Sequence, residues 1–145
     1  MLEIVSNSQD DTAAIGIKIA SLLNAGSVVA LNGTLGSGKT FLTKSIAKGL
    51  SLTENLTSPT YTIINEYPLI SGLVLYHIDA YRINSVKEFE DIGGMEILNS
   101  DNICIIEWSE RISNALPACA ITITLEITGE ESRLVKIEGL NGELF

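Results

Sequence analysis

Gly33-Thr34-Leu35-Gly36-Ser37-Gly38-Lys39-Thr40 meets the phosphate-loop pattern G-x-x-x-x-G-K-[ST] at every fixed position. Its flanks supply the frame that the pattern needs. Ser27-Val28-Val29-Ala30-Leu31-Asn32 is an apolar run with β-branched residues and predicts a buried strand. Phe41 to Leu50, with Phe41, Leu42, Ile46, Ala47 and Leu50 apolar, predicts a helix. In a strand, loop, helix unit, glycines let the backbone turn so tightly that successive N–H groups face one anion. The dipole of the following helix adds positive potential at the same place. Gly33, Leu35, Gly36, Ser37 and Gly38 are therefore the candidate cradle for phosphate, Lys39 is the candidate contact for the outer phosphates, and the Thr40 hydroxyl is a candidate Mg2+ ligand. A plain glycine-rich turn would account for the glycines but not for the Lys-Thr pair after the third one.

Composition sets the wider limits. A chain of 145 residues with 46% hydrophobic content predicts one domain, 1–145, with a sizeable core. Nine basic against eighteen acidic residues give a net charge of −9, which repels nucleic acid. If RNA is involved, a partner must supply most of the phosphate contacts. Met1-Leu2-Glu3-Ile4-Val5 lacks the basic region and long apolar core of a secretion signal, and no run approaches the apolar length of a membrane span. The expectation is a soluble, cytoplasmic protein. Cys104 and Cys119 lack metal-ligand spacing and are expected to be reduced, partly buried thiols.

Along the rest of the chain, Leu2 to Ser6 predicts a short strand and about Gln9 to Asn24 a helix, opened by Ser8 and Asp11 at capping-box spacing and stopped near Gly26. Thr12 in its first turn reads as cap chemistry. Thr60 to Tyr67 and Leu73 to Asp79 predict two strands, most economically a hairpin. Ser85 and Glu88 repeat the capping spacing before a short helix over Val86 to Ile92, broken at Gly93-Gly94 and resumed over Met95 to Leu98. Ile103 to Trp108 is apolar enough to be buried on both faces, as in a parallel sheet, and Ala120 to Thr128 with Leu134 to Glu138 predict a terminal hairpin. The architecture expected is a three-layer α/β phosphate-loop fold, with a mainly parallel central sheet and an antiparallel extension supplied by the later strands.

Two predicted strands carry a carboxylate at or next to their ends, Asp79 and Glu107. In a phosphate-loop protein that is where Mg2+ is held, directly or through water. Either acid can equally be the first solvated residue after a buried run, and the residues alone do not choose between them. His77, two before Asp79 on one strand face, reads as a packed or supporting residue rather than a ligand. Arg82, Arg111 and Arg133 are the three arginines, any of which can stabilise phosphoryl charge, with Arg111 reading as a surface residue. Ser58-Pro59-Thr60-Tyr61-Thr62 is a hydroxyl-rich turn where such proteins often keep a γ-phosphate-sensing segment. Strand alternation sends Trp108, the single tryptophan, to the face opposite Glu107, which makes it either a packing residue or a rigid aromatic contact at the mouth of the site.

Taken together these segments resemble the TsaE family, small bacterial ATPases needed for threonylcarbamoyl modification of adenosine beside the anticodon of certain tRNAs. The resemblance runs nearly end to end. It rests on the Gly33 to Thr40 loop, Ser58-Pro59-Thr60-Tyr61-Thr62 with Asn65-Glu66-Tyr67, His77-Ile78-Asp79-Ala80-Tyr81-Arg82, Glu90-Asp91-Ile92-Gly93, Ile103 to Trp108, and Leu116-Pro117. It implies ATP and Mg2+ as cofactors, Thr40 and Glu107 as metal ligands, Lys39 as phosphate contact, and Asp79 as the acid that positions or activates water. It also implies a nucleotide-sensing role for the Ser58 to Thr62 segment, including Thr60 and Thr62, and a place beside the metal for Trp108. Thr12 becomes an adenine-side candidate, and Arg133 matches a basic position of the family's last hairpin. The implied partners are the proteins TsaD and TsaB, with tRNA reached only through them. Thr34, Ala80 and Ser109 depart from the usual aspartate, leucine and proline, and none of the three removes a proposed ligand.

Two other readings stay open. A small-molecule kinase would need a water-excluding lid, for which three scattered arginines are a poor resource. A nucleotide-gated adaptor would bind ATP or ADP and change its partner surface without turnover.

Overall fold

The computed structural model describes residues 1–57 and 63–140. Within them the chain forms β1 (Leu2–Ser6), α1 (Gln9–Ala20), β2 (Val28–Gly33), α2 (Lys39–Gly49), β3 (Ile64–Pro68), β4 (Val74–Asp79), α3 (Val86–Asp91), α4 (Gly94–Leu98) and β5 (Ile103–Glu107). A 3-10 segment (Ser109–Ala115), β6 (Ile121–Ile127) and β7 (Arg133–Glu138) follow.

The strands make one sheet in the order β1-β7-β6-β2-β5-β4-β3. Its centre is parallel, with β2 between β6 and β5 and with β4 beyond β5. Antiparallel strands extend both edges, β7 and β1 on one side and β3 on the other. The expected hairpins β3–β4 and β6–β7 are both present.

Burial explains why the central strands read as unbroken apolar runs. In β5 every residue is buried, and alternation sends Ile103 and Ile105 to one face, Cys104 and Ile106 to the other. The first face packs with Val29, Leu31 and Ile123 against Ile15 and Ile19 of α1 and Leu42 and Ile46 of α2. The second carries Val28 and Ile78 against Phe89, Leu98 and Ile112 from α3, α4 and the 3-10 segment. Helices on both faces of the sheet give the three-layer α/β architecture of the phosphate-loop class.

Both predicted caps form. Ser8 Oγ accepts from Asp11 N–H at 3.1 Å, and Ser85 Oγ accepts from Glu88 N–H at 3.1 Å. The acids answer one residue further back, where Asp11 accepts from Asn7 N–H and Glu88 from Asn84 N–H. Helix α1 stops at Ala20 rather than near Asn24, because the chain leaves the helix after Ser21 and Gly26 turns it with φ of +89° toward β2. The strand expected from Thr60 begins at Ile64, and the expectations for Ser58 to Thr62 lie outside the described residues. Cys104 is fully buried, which pushes its thiol pKa up, whereas Cys119 is exposed rather than partly buried. Among the described residues, no helix is long and apolar enough to cross a membrane.

Candidate active site

The loop after β2 opens at the carboxyl ends of the parallel strands, where ligands of open α/β sheets bind. Gly33 ends the strand with φ of +152°, and a Cβ there would lie 2.5 Å from Ser37 Oγ and 2.9 Å from the Leu125 carbonyl. Only glycine fits that approach. Gly38 is the residue before α2 and holds φ of +104°, which brings the loop into the helix in a conformation that side chains resist. Leu35 stands in the loop largely exposed, on the rim of the cleft.

Lys39, buried in the first turn of α2, donates from Nζ to the Gly33 carbonyl at 2.6 Å and the Thr34 carbonyl at 3.1 Å. Its ammonium also lies 3.8 Å from the centroid of the Trp108 ring, a cation–π contact. Burial lowers the Lys39 pKa below its ordinary 10.5, and the negative charges of Glu107, Glu110 and Asp79 work against that shift.

The two candidate acids converge. Asp79 and Glu107 end the neighbouring parallel strands β4 and β5 as register partners, which sets their backbones about 4.8 Å apart. Thr40 Oγ1 donates to Glu107 Oε1 at 2.9 Å, and Glu107 Oε2 meets His77 Nε2 at 2.5 Å. Asp79 is half-buried and accepts from the Tyr81 N–H at 3.0 Å, which fixes its carboxyl at the turn leaving β4. Lys39, Thr40, Asp79, Glu107 and Trp108 share a cleft of about 360 Å3 with Leu35, Gly36, Gly38, Phe41 and Tyr81. Thr40 with Glu107 offers hard oxygen donors of the kind Mg2+ takes when it keeps most of its shell as water and phosphate. The described residues contain no group of three or more His, Cys, Asp or Glu placed to hold a metal by themselves.

Trp108 meets both of its expected roles. The strand ends at Glu107, and Trp108, in the left-handed conformation with φ 59° and ψ 39°, packs against the second-face cluster of Cys104 and Ile106 while it lines the mouth of the cleft beside Glu107. Its ring packs at 4.9 Å from the Tyr81 ring, and the Arg111 guanidinium lies 5.1 Å from that same Tyr81 ring. Ser109, where the resembled family usually has proline, donates from Oγ to Asn32 Oδ1 and ties the turn after Trp108 to the end of β2. No pattern in the sequence announces that bond.

Thr12 and Arg133 lie on a smaller recess of about 80 Å3, formed also by Gln9, Ser37, Gly38, Phe41, Glu130 and Glu131. Thr12 keeps its helix-start chemistry, with Oγ1 at 2.6 Å from Ser6 Oγ and 3.3 Å from the Ser8 carbonyl. Arg133 donates to the carbonyls of Ser37 and Gly36 in the phosphate loop and to those of Gly129, Glu130 and Ser132 in the β6–β7 turn. Arg82 and Arg111 are both exposed. Thr60 and Thr62 lie outside the described residues.

The family model described as threonylcarbamoyl adenosine biosynthesis protein TsaE matches residues 6–135. A protein of Treponema pallidum named tRNA threonylcarbamoyladenosine biosynthesis protein TsaE is 40% identical over 136 residues, which cover 94% of this chain and 99% of that one. The Bacillus subtilis protein of the same name is 39% identical, covering 86% and 77% of the two chains. Among solved structures, Bacillus subtilis YdiB superposes with a TM-score of 0.71 at 31% identity, covering 92% of this chain and 82% of that one.

Proposed function

The chain belongs to the TsaE family, and from that premise we propose that it binds and hydrolyses ATP with Mg2+ in the service of threonylcarbamoyladenosine formation in tRNA. The observation that carries the ATPase reading is the bond from Thr40 Oγ1 to Glu107 Oε1, which puts a hydroxyl from the loop helix and a carboxylate from β5 within one cation's reach, beside Asp79.

Each residue has a separable task. Main-chain amides of the phosphate loop, apart from the Ser37 N–H that bonds the Thr34 carbonyl, surround the phosphates, and Lys39 exchanges its loop carbonyls for phosphate oxygens when nucleotide enters. Thr40 and Glu107 would hold Mg2+, which when bound neutralises charge on the phosphate oxygens. Asp79, free of the Thr40–Glu107 bond and fixed at the cleft by Tyr81 N–H, orients the attacking water and takes up its proton. Trp108 and Tyr81 form the aromatic side of the cleft and exclude solvent from the Lys39 ammonium.

The partners proposed are TsaD and TsaB, with turnover coupled to their complex. A net charge of −9 supports leaving tRNA contact to them, because an acidic chain is repelled by phosphate. The reading places the chain in the cytoplasm, where tRNA is modified. The test is phosphate release from ATP by the wild-type chain, Asp79→Ala and Glu107→Ala, each with the partner complex present. The expected result is release by the wild type and its loss in both variants. Equal release from all three would sink the assignment. A phosphorylated metabolite in place of free phosphate would make the chain a kinase, and ATP binding with no turnover would make it an adaptor.

A further inference from the structure

We infer that His77 is a positioning residue that sets the Glu107 carboxylate for the metal, an inference that rests on the Mg2+ reading above. A histidine in a central parallel strand is anomalous. Its neighbours on β4 and β5, Leu75, Ile78, Ile105 and Ile106, are fully buried and apolar, as strands covered on both faces require. His77 is itself 0% exposed, so its ring nitrogens have given up water and need a reason to be there.

The hydrogen bonds supply one. Nε2 meets Glu107 Oε2 at 2.5 Å, and Nδ1 has no hydrogen-bond partner among the described residues. All of the polar bonding of this imidazole is therefore spent on a single carboxylate oxygen. The other oxygen, Oε1, accepts from Thr40. Glu107 is thus held from two sides, by a strand neighbour at one oxygen and by the loop helix at the other. A glutamate carboxylate at a strand end has three side-chain torsions to lose, and pinning Oε2 leaves Oε1 aimed at Thr40 before any cation arrives. Since a carboxylate offers no proton, the imidazole donates from Nε2, and its bare Nδ1 is the cheaper nitrogen to leave without a partner.

The experiment measures Mn2+ binding in the presence of ADP by electron paramagnetic resonance, and ADP binding alone in chelator, for the wild type, His77→Gln, His77→Asn and His77→Leu. The glutamine amide nitrogen reaches the place of ring Nε2, whereas the asparagine amide is too short to do so. His77→Leu and His77→Asn should weaken Mn2+ binding by roughly 10- to 100-fold with chelated ADP affinity unchanged, and His77→Gln should stay close to wild type. A purely structural role would not give that rescue. Wild-type Mn2+ affinity in folded His77→Leu, or in His77→Asn should the leucine variant fail to fold, overturns the inference and leaves the Mg2+ reading standing. Loss in His77→Gln equal to that in His77→Asn also overturns it. A wild-type chain that binds no Mn2+ with ADP overturns both.

Discussion

Arg133 donates from Nε to the Ser37 carbonyl at 2.8 Å, so an arginine 96 residues further along the chain is part of the scaffold of the phosphate loop. A second bond runs from its NH2 group to the Gly36 carbonyl at 3.3 Å. Peptide planarity makes these bonds matter for binding, because a carbonyl held outward turns the N–H of the same peptide unit the other way. Anchoring the Ser37 carbonyl therefore aims the Gly38 amide, while the Gly36–Ser37 peptide is held from both sides, by Arg133 at its carbonyl and by the Thr34 carbonyl at its N–H. Arg133→Ala should weaken ATP binding by about tenfold and cost about 1–2 kcal/mol of stability in chemical denaturation. Arg133→Lys should recover little of either, since a single ammonium lacks the fork that spans two loop carbonyls and the β6–β7 turn. Calorimetric ATP affinities for the two variants that match the wild type would remove Arg133 from the scaffold.

Lys39→Ala should abolish tight ATP binding and keep the fold, as judged by calorimetry and circular dichroism. Burial lowers the Lys39 pKa below 10.5, and phosphate capture needs the charged amine. Affinity should therefore fall as pH rises through an alkaline window that opens below 10.5, earlier than for an ordinary lysine. A titration of ATP affinity against pH that stays flat up to 10.5 contradicts this assignment of Lys39.

Glu107→Gln and Asp79→Asn should separate metal binding from water activation. The glutamine can still accept from Thr40 but has lost its charge, and Mn2+ affinity with ADP should drop by at least about tenfold. Asp79→Asn should bind Mn2+ and ADP normally while phosphate release falls by roughly 100-fold or more. The two losses appearing in the opposite variants would exchange the roles.

Gly16→Ala tests the seat of the loop helix. A Cβ at Gly16 of α1 would come within 2.5 Å of Ser45 Cβ and 3.2 Å of the Ile46 nitrogen on α2. Helix α2 must move or α1 must lift, which should cost about 1–2 kcal/mol after the better helix propensity of alanine is counted. Unchanged denaturation midpoints would mean that the helices have slack here.

Much of this site is legible in the primary structure because local rules govern it. The phosphate loop is contiguous, its glycines answer to positive φ, and its flanking strand and helix announce themselves by period. Asp79 and Glu107 are legible as strand-end acids, since a carboxylate after a buried apolar run needs a partner or solvent. Trp108 is legible only as a choice between packing and the mouth of the site, because alternation gives a face but not how far a large ring reaches past the strand's end, and the folded chain gives it both places. Arg133 is visible as a basic residue in a hairpin, but nothing in its neighbourhood points to Gly36 and Ser37.

The order of residues alone determined the chemistry on offer: a ring of amides, one lysine, one hydroxyl, two strand-end acids and the family likeness that joins them. Tertiary structure alone decided the pairings, namely that β4 and β5 lie side by side, that Thr40 takes Glu107 and leaves Asp79 free, and that His77 holds the far oxygen. The physical reason is range. Turn geometry, capping and hydrophobic period act over a few residues, whereas a hydrogen bond spanning 67 positions exists only after burial of both sheet faces has fixed which strands are neighbours.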